Sequence, residues 1–237
     1  MTVASLSTNL QRVRERIAAA ASRVSRAPDG ITLIGVSKTY PSEAIQDAYA
    51  LGLRHFGENR IQEWEGKRAP LLSLDAQWHL IGHLQSNKAA RAARLFHSVD
   101  SVDDFALAQR LDRARAELSG QAPLRVLLEV HLGGEVSKSG VPESALPALA
   151  TQILPLPNLD LAGLMCIPPF LDDIESVRPF FARLRALRDQ LEPRLGRKLP
   201  VLSMGMSHDF EAAIAEGATE VRVGTALFGA RSAPNAV

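Results

Sequence analysis

Lys38 follows directly on the apolar run Leu33-Ile34-Gly35-Val36. A lysine at the end of a buried strand carries its amine into a partly dry site, with its aliphatic stem covered. Burial disfavours an ammonium, and lysines become amine nucleophiles for carbonyl groups in this way. A surface lysine at a strand end, or one held in a structural ion pair, would satisfy the same position. A second cluster is Gly205-Met206-Ser207 with Gly224-Thr225. Its glycines let backbone N–H groups approach an anion closely, and Ser207 and Thr225 add hydroxyl donors. In the alternative reading Ser207 caps the helix that follows and the glycines only make turns. Arg222 lies two residues before Gly224, hence on the same face of a strand. Its guanidinium could meet a ligand there, or pair with a core carboxylate such as Glu129.

Other chemistry-bearing residues fit less well. His79 and His83 are four apart, but Leu80-Ile81-Gly82 between them is strand-like, so they are no helical metal pair, and no third ligand has suitable spacing. No metal site is expected. His83 suits a structural or loop role, and His131 ends a strand where it could line the pocket floor. Cys166 lacks an activating neighbour and reads as inert packing. Trp64 and Trp78 read as core residues. Lys88, Arg91 and Arg94 make a solvated basic helical face. Gly133 to Gly140 reads as a polar loop over the mouth, and its glycines make no nucleotide fingerprint.

The elements that must position these residues alternate along the chain. Leu6, Leu10, Val13, Ile17 and Ala21 form the stripe of an amphipathic helix, ended by Pro28-Asp29-Gly30. Eight strands follow, at Ile31 to Val36, Leu53 to Phe56, Gln77 to Ile81, Phe96 to Val99, Leu124 to His131, Leu159 to Ile167, Val201 to Met204 and Glu220 to Val223. Each precedes a helix. These helices run from Pro41 to a stop at Gly52, over 59–72, from near Ser86, and from a Ser101 cap to about Leu118. The later ones begin at Pro142, Ile174 and Phe210, and a short one follows the last strand. Alternation of this kind means parallel strands with right-handed crossovers. Eight units predict an α/β fold, a single TIM-type (β/α)8 barrel with an extra N-terminal helix, spanning 1–237 as one domain. An open doubly wound sheet is the rival, but no Gly-rich dinucleotide turn follows the first strand.

A barrel places its working residues at the C-terminal strand ends, with a recurrent phosphate site after the last two strands. Closure would make the last strand a neighbour of the first, so Lys38 would stand beside Gly224-Thr225. Adjacent strands are about 4.8 Å apart, so the span from the seventh strand to the first is roughly 10 Å. A ligand with a phosphate at one end and an aldehyde at the other would fit, and pyridoxal phosphate is such a molecule. Arg222 against its pyridine nitrogen would keep that nitrogen unprotonated and weaken the ring as an electron sink.

Composition narrows the class further. With 27 Lys+Arg against 26 Asp+Glu and 46% apolar residues, the chain is neither disordered nor built to live on nucleic acid. No apolar run approaches the roughly 20 residues of a membrane helix. The single cysteine excludes an internal disulfide and fits a reducing cytoplasm. The Arg- and Ala-rich start reads as a folded helix rather than a signal or transit peptide.

Several segments together resemble the pyridoxal phosphate homeostasis protein family. They are Val36-Ser37-Lys38-Thr39, Phe56-Gly57-Glu58-Asn59-Arg60, His79-Leu80-Ile81-Gly82-His83-Leu84-Gln85-Ser86-Asn87-Lys88, Ser137-Lys138-Ser139-Gly140, Gly163-Leu164-Met165, Leu202-Ser203-Met204-Gly205-Met206-Ser207, Val221-Arg222-Val223-Gly224-Thr225 and Phe228-Gly229-Ala230-Arg231. They run in order over nearly the whole chain. The resemblance implies a barrel like the N-terminal domain of alanine racemase, with pyridoxal 5′-phosphate held as a Schiff base on Lys38. It implies Arg222 at the pyridine nitrogen, Ser207, Gly224 and Thr225 at the phosphate, and Asn59 among the cofactor-binding residues. It also implies a carrier that stores, buffers and delivers the cofactor, with no catalytic residues of its own. Its partners would be apo forms of enzymes that use the cofactor, and it would be a cytoplasmic monomer. Departures from the family pattern are His131 in place of the more frequent Asn, Cys166 where small or hydroxyl residues are common, and Ser232-Ala233-Pro234 in the tail. The alternative is an amino-acid racemase or related small enzyme. Racemisation needs a second acid/base opposite the lysine. Alanine racemase-like enzymes take a tyrosine for it from a further β-domain of a partner subunit. This chain ends at Val237 without such a domain, and its two tyrosines, Tyr40 and Tyr49, follow the first strand. A Schiff-base aldolase acting on a phosphorylated sugar is a third reading.

Overall fold

The computed structural model describes residues 2–133 and 139–229. The predicted apolar runs become β1 (Thr32–Val36), β2 (His55–Glu58), β3 (Gln77–Leu80), β4 (Ser98–Val102), β5 (Leu124–His131), β6 (Val141–Pro142), β7 (Leu159–Met165), β8 (Val201–Met206) and β9 (Glu220–Val223). Every pairing among them is parallel. Leaving β6 aside, the order is β4-β3-β2-β1-β9-β8-β7-β5, and β4 pairs with β5. The sheet therefore closes into an eight-stranded barrel and leaves no edge to be capped. Gly163 is where β7 and β8 come closest. A Cβ there would stand 2.0 Å from the Val201 carbonyl oxygen.

The helices are α1 (Val3–Arg23), α2 (Ser42–Ala50), α3 (Ile61–Lys67), α4 (Ala89–Leu95), α5 (Phe105–Ala116), α6 (Leu146–Ile153), α7 (Ile174–Leu195), α8 (Phe210–Ala215) and α9 (Thr225–Phe228). The N-terminal stripe is buried as α1, through Leu6, Leu10, Val13, Ile17, Ala20 and Ala21. This extra helix packs on α8 and α9. Arg16 makes a forked pair with Glu211 at 2.7 and 2.9 Å, and Asn9 Nδ2 donates to the Leu227 carbonyl at 3.1 Å. Thus α1 braces the back of the corner formed by β8, β9 and their helices.

Local expectations shift in four places. Ser101 does not cap a helix. It lies inside β4, and its hydroxyl donates to the Gly82 carbonyl at 2.7 Å. Asp104 takes over as cap of α5, accepting from Leu107 N at 2.7 Å, because a carboxylate caps as well as a hydroxyl and Asp104 is the residue in extended geometry. The helix expected over 59–72 is α3 followed by a 3-10 turn at Ala69–Leu71, where Pro70 has no N–H to continue the ladder. Likewise a 3-10 turn at Ser86–Lys88 precedes α4. Finally, Pro142 ends the short β6, which pairs Val130 with Val141, and α6 starts only at Leu146.

The barrel interior carries a polar layer near the strand starts. His55 Nδ1 lies 3.0 Å from His79 Nε2, and His79 Nδ1 lies 3.2 Å from Asp100 Oδ2. Ser98 donates to Asp100, and Arg125 Nη2 donates to Glu220 Oε1 at 2.5 Å. His79, Asp100 and Glu220 bring one ligand atom each within 4.8 Å of one another, a grouping that sequence spacing did not show. Both ring nitrogens of His79 are engaged and a guanidinium sits on Glu220, whose carboxyl is raised by burial and by the nearby Asp100. Burial alone would raise Asp100, but His79, Arg125 and Ser98 outweigh it and hold this carboxyl below its ordinary value. Burial, aided by His79 and Arg125, lowers His55 from 6.5 to about 4.

This layer has a consequence for pH stability. Between 6.5 and about 4 the unfolded chain binds a proton at His55 that the folded chain resists. Folding stability from this residue is therefore full above 6.5 and is lost as pH falls toward 4. The urea midpoint of the protein is expected to drop over that window, and to drop less in His55→Asn. Identical pH slopes for the two proteins would show that His55 does not carry the effect.

Candidate functional site

Strand alternation decides which side chains enter the barrel mouth. On β1 the inward residues are Ile34 and Val36, since a Cβ on Gly57 would stand 3.1 Å from Ile34 Cγ2 and one on Gly224 would stand 3.5 Å from Val36 Cβ. Lys38 lies two residues beyond the end of β1 and is half-buried, with the parity of Ile34 and Val36. The β1–β9 register pairs Ile34 with Arg222 and Gly35 with Val223. Val36 therefore neighbours Gly224. On β2 the register pairs Ile34 with His55 and Val36 with Gly57, and Asn59, just past the strand, shares their parity. The end of β3 presses close to it, because a Cβ on Gly82 would be 2.4 Å from the Asn59 carbonyl oxygen.

Ser207 does not cap α8. That helix is entered through Asp209, whose Oδ1 accepts from Met206 N at 2.6 Å. The Ser207 oxygen instead reaches across to the neighbouring strand end. It accepts from Gly224 N at 3.2 Å and from Ala226 N at 3.4 Å. Two backbone N–H groups and a hydroxyl thus converge on one spot, with the exposed Thr225 between them in sequence. That is the donor chemistry of an oxyanion or phosphate site. Gly205 permits the register shift near the end of β8, with φ +92 and only 2.6 Å between a Cβ there and Ala213 Cβ.

Arg222 is 3% exposed. Nη1 donates to Ser203 Oγ and Nη2 to the Cys166 carbonyl, both at 2.8 Å. Among the described residues it pairs with no carboxylate, and Glu129 accepts instead from Ser139 Oγ at 3.0 Å. The guanidinium is thus held in place by neutral acceptors, with Glu129 and Asp209 near enough to feel its charge.

The opposite side of the mouth is acidic. Glu129 is buried and its Oε2 has no hydrogen-bond partner among the described residues. Burial raises its carboxyl above the ordinary value, against the opposing pull of Ser139 and Arg222. Asp103 is likewise raised by burial, although His83 Nδ1 lies 3.5 Å from it and Gly140 N donates to it at 3.4 Å. His83 is exposed at the rim, and His131 is half-buried at the end of β5. Cys166 is fully buried, and burial pushes its thiol up to about 12. Trp64 and Trp78 stack in the outer core at 4.1 Å, and Arg91 pairs with Glu65. Residues 134–138 of the expected mouth loop lie outside the described residues, as do Ala230, Arg231 and the tail with Ser232, Ala233 and Pro234.

Sequence reasoning missed the groups that hold the strand ends. Tyr40 stacks on Phe228 at 4.9 Å and donates from its hydroxyl to the Gly229 carbonyl at 2.6 Å, tying the β1 loop to α9. Glu58, Glu63 and Lys67 surround the other side of the same loop. Glu58 was visible as a carboxylate at the end of an apolar strand, which is a costly place for an unpaired charge.

The chain matches the family model of the alanine racemase N-terminal domain over residues 8–232. It is 49% identical to the pyridoxal phosphate homeostasis protein of Pseudomonas aeruginosa, across 97% of each chain. With the protein of the same name from Aquifex aeolicus it shares 47% identity over 94% of this chain and 96% of the relative. Among solved structures it is similar to PipY of Synechococcus elongatus PCC7942 with PLP bound. The TM-score is 0.81 at 43% identity, covering 92% of this chain and 100% of that one. Relatives this similar, matched along nearly their whole length, place the chain in the pyridoxal phosphate homeostasis protein family, on the alanine racemase N-terminal barrel.

Proposed function

We propose that this protein binds pyridoxal 5′-phosphate as a Schiff base on Lys38 and acts as an intracellular store, buffer and donor of the cofactor. One observation carries the reading. The register that pairs β1 with β9 brings the strand end leading to Lys38 alongside Gly224, whose N–H is bound by Ser207, which supports an amine and a phosphate site as neighbours. When bound, the cofactor supplies an aldehyde at one end and a phosphate at the other.

Each residue then has a defined task. The N–H groups of Gly224 and Ala226, with the hydroxyls of Ser207 and Thr225, hold the phosphate. Lys38 would supply the amine that holds the aldehyde end, a condensation that would release one water and be reversed by water. Asn59 packs at the mouth beside Lys38. Arg222, anchored by Ser203 and Cys166, sets its positive charge toward the pyridine nitrogen and keeps it unprotonated. An unprotonated ring is a poor electron sink, which suits holding over turning over.

The two tyrosines support the carrier reading as well. The Tyr40 hydroxyl is spent on Gly229, and Arg54 lies over the Tyr49 ring at 4.0 Å. Neither is placed as the second acid/base that racemisation requires. The racemase reading draws on one feature, the Glu129 oxygen on the acidic side of the mouth that has no hydrogen-bond partner among the described residues. On the preferred reading the barrel works as one cytoplasmic, monomeric unit, and apo enzymes that need the cofactor are its partners. Within the described residues no helix is long and apolar enough to cross a membrane.

Borohydride reduction followed by peptide mass spectrometry is expected to find the cofactor fixed to Lys38 in the parent protein and absent from Lys38→Ala. A linkage that moves to another lysine would show that the assignment is wrong. Arg222→Gln should shift the visible absorbance of the bound cofactor and its pH dependence, and an unchanged spectrum would remove Arg222 from the ring. Incubation with single L-amino acids and chiral analysis should yield no appreciable D-isomer. Sustained D-isomer formation would replace the carrier reading with the racemase.

A further inference from the structure

We propose that Lys67, with Glu58 and Glu63, is a positioning device that fixes the direction in which Lys38 projects. The inference rests on the role of Lys38 proposed above and adds the groups that orient it.

The geometry is local and dense. Lys67 Nζ, on the last turn of α3, donates to the Ser37 carbonyl at 2.8 Å and to the Tyr40 carbonyl at 3.3 Å. It also lies 2.8 Å from Glu58 Oε1 and 3.1 Å from Glu63 Oε1. Glu58 Oε1 in turn accepts from the Ser37 hydroxyl at 2.5 Å. Glu63 Oε1 accepts from the Thr39 backbone N–H. Residues 37, 39 and 40, on both sides of Lys38, therefore have backbone groups bound to one buried charge cluster.

That cluster holds the chain in a conformation it would not choose. Thr39 sits at φ +69, a region that β-branched residues rarely adopt. A backbone in that state persists only where its surroundings over-determine it, and such states gather at functional sites. The turn at Thr39 sends the chain away at once after Lys38. Lys38 is thereby left at the barrel mouth, while its neighbours bond outward to α3.

Stability alone gives a poor reason for the cluster. The Glu58 side chain is 0% exposed and that of Lys67 11%, and buried ion pairs are often no better than apolar packing of the same volume. What such a pair provides is a fixed arrangement of charge-assisted bonds. An amine that must meet a carbonyl carbon at a set distance and angle gains from that fixity, since orientation is a large part of the barrier. Ser37 and Lys38 alternate across the strand, so the cluster grips the outer face while the amine works on the inner one.

The test compares the parent with Lys67→Met and with Lys67→Met/Glu58→Gln. The double variant removes the carboxylate charge that Lys67→Met strands in the core. Three readouts are taken, namely amide hydrogen exchange over residues 37–40, the fraction of pyridoxal 5′-phosphate trapped on Lys38 by borohydride, and binding of pyridoxine 5′-phosphate. The last keeps the phosphate but lacks the aldehyde. Loss of charge-assisted bonds should speed exchange at Thr39 and weaken the Lys38 linkage by about tenfold or more in both variants, with pyridoxine 5′-phosphate binding little changed. Linkage equal to the parent, or an equal loss for both ligands, would overturn the proposal. If the parent itself forms no linkage at Lys38, the carrier reading fails, and exchange at Thr39 alone then decides the clamp. Faster exchange in the variants supports it, and parent-like exchange overturns it.

Discussion

The hydrogen-bonded seam between β1 and β9 is the constraint on which the site depends. Its register sets Ile34 against Arg222 and Gly35 against Val223. One step further, Val36 meets Gly224, whose N–H is bound by Ser207, and Lys38 follows two residues on in sequence. A slip of β1 by one residue would invert the faces of its side chains relative to Arg222 on β9, because side chains alternate along a strand. The seam exists only because the sheet closes, with β4 paired to β5 on the far side. Behind it, α1 locks α8 and α9 through Arg16–Glu211 and Asn9–Leu227, so the corner is held from outside as well.

Charge is sorted by depth in this barrel. Near the strand starts, His55, His79, Asp100, Arg125 and Glu220 form a hydrogen-bonded polar layer. Toward the mouth, Arg222 is held by a hydroxyl and a carbonyl, and its charge acts on Glu129 and Asp209. Across from it, the buried Glu129 and the half-buried Asp103 are carboxyls whose acidity is weakened by desolvation. On the outer face of the sheet, Lys67 and its two glutamates spend their charges on the backbone around Lys38. The same physics of burial and pairing thus yields a structural layer, a potential ligand-directed cation and a brace, according to which partners each group meets.

Much of the scaffold was legible from periodicity. The strand at Leu124–His131 and the strand at Glu220–Val223 lie where the apolar runs put them, and α1 buries the face its stripe marked. Boundaries moved where a local choice was close. Asp104 rather than Ser101 caps α5, and at Pro70 and Pro142 the helices expected over 59–72 and from Pro142 give way to a 3-10 turn and a short strand. At the mouth, Lys38 and Ser207 could be picked out by their places after apolar strands. Whether Ser207 would cap α8 or serve Gly224 and Ala226 could not, since both readings use the same hydroxyl and differ only in its direction.

By itself the sequence determined the order of strands and helices, the polar residues at each strand end and the near balance of charge, because these follow from local spacing and composition. Tertiary structure decided what those residues touch. It gave His79 the carboxylate of Asp100, gave Arg222 a hydroxyl and a carbonyl, and set the ammonium of Lys67 under Ser37 and Tyr40. Such contacts join segments far apart in the chain. Their geometry depends on strand register and helix packing, and neither is encoded in the spacing of any single segment.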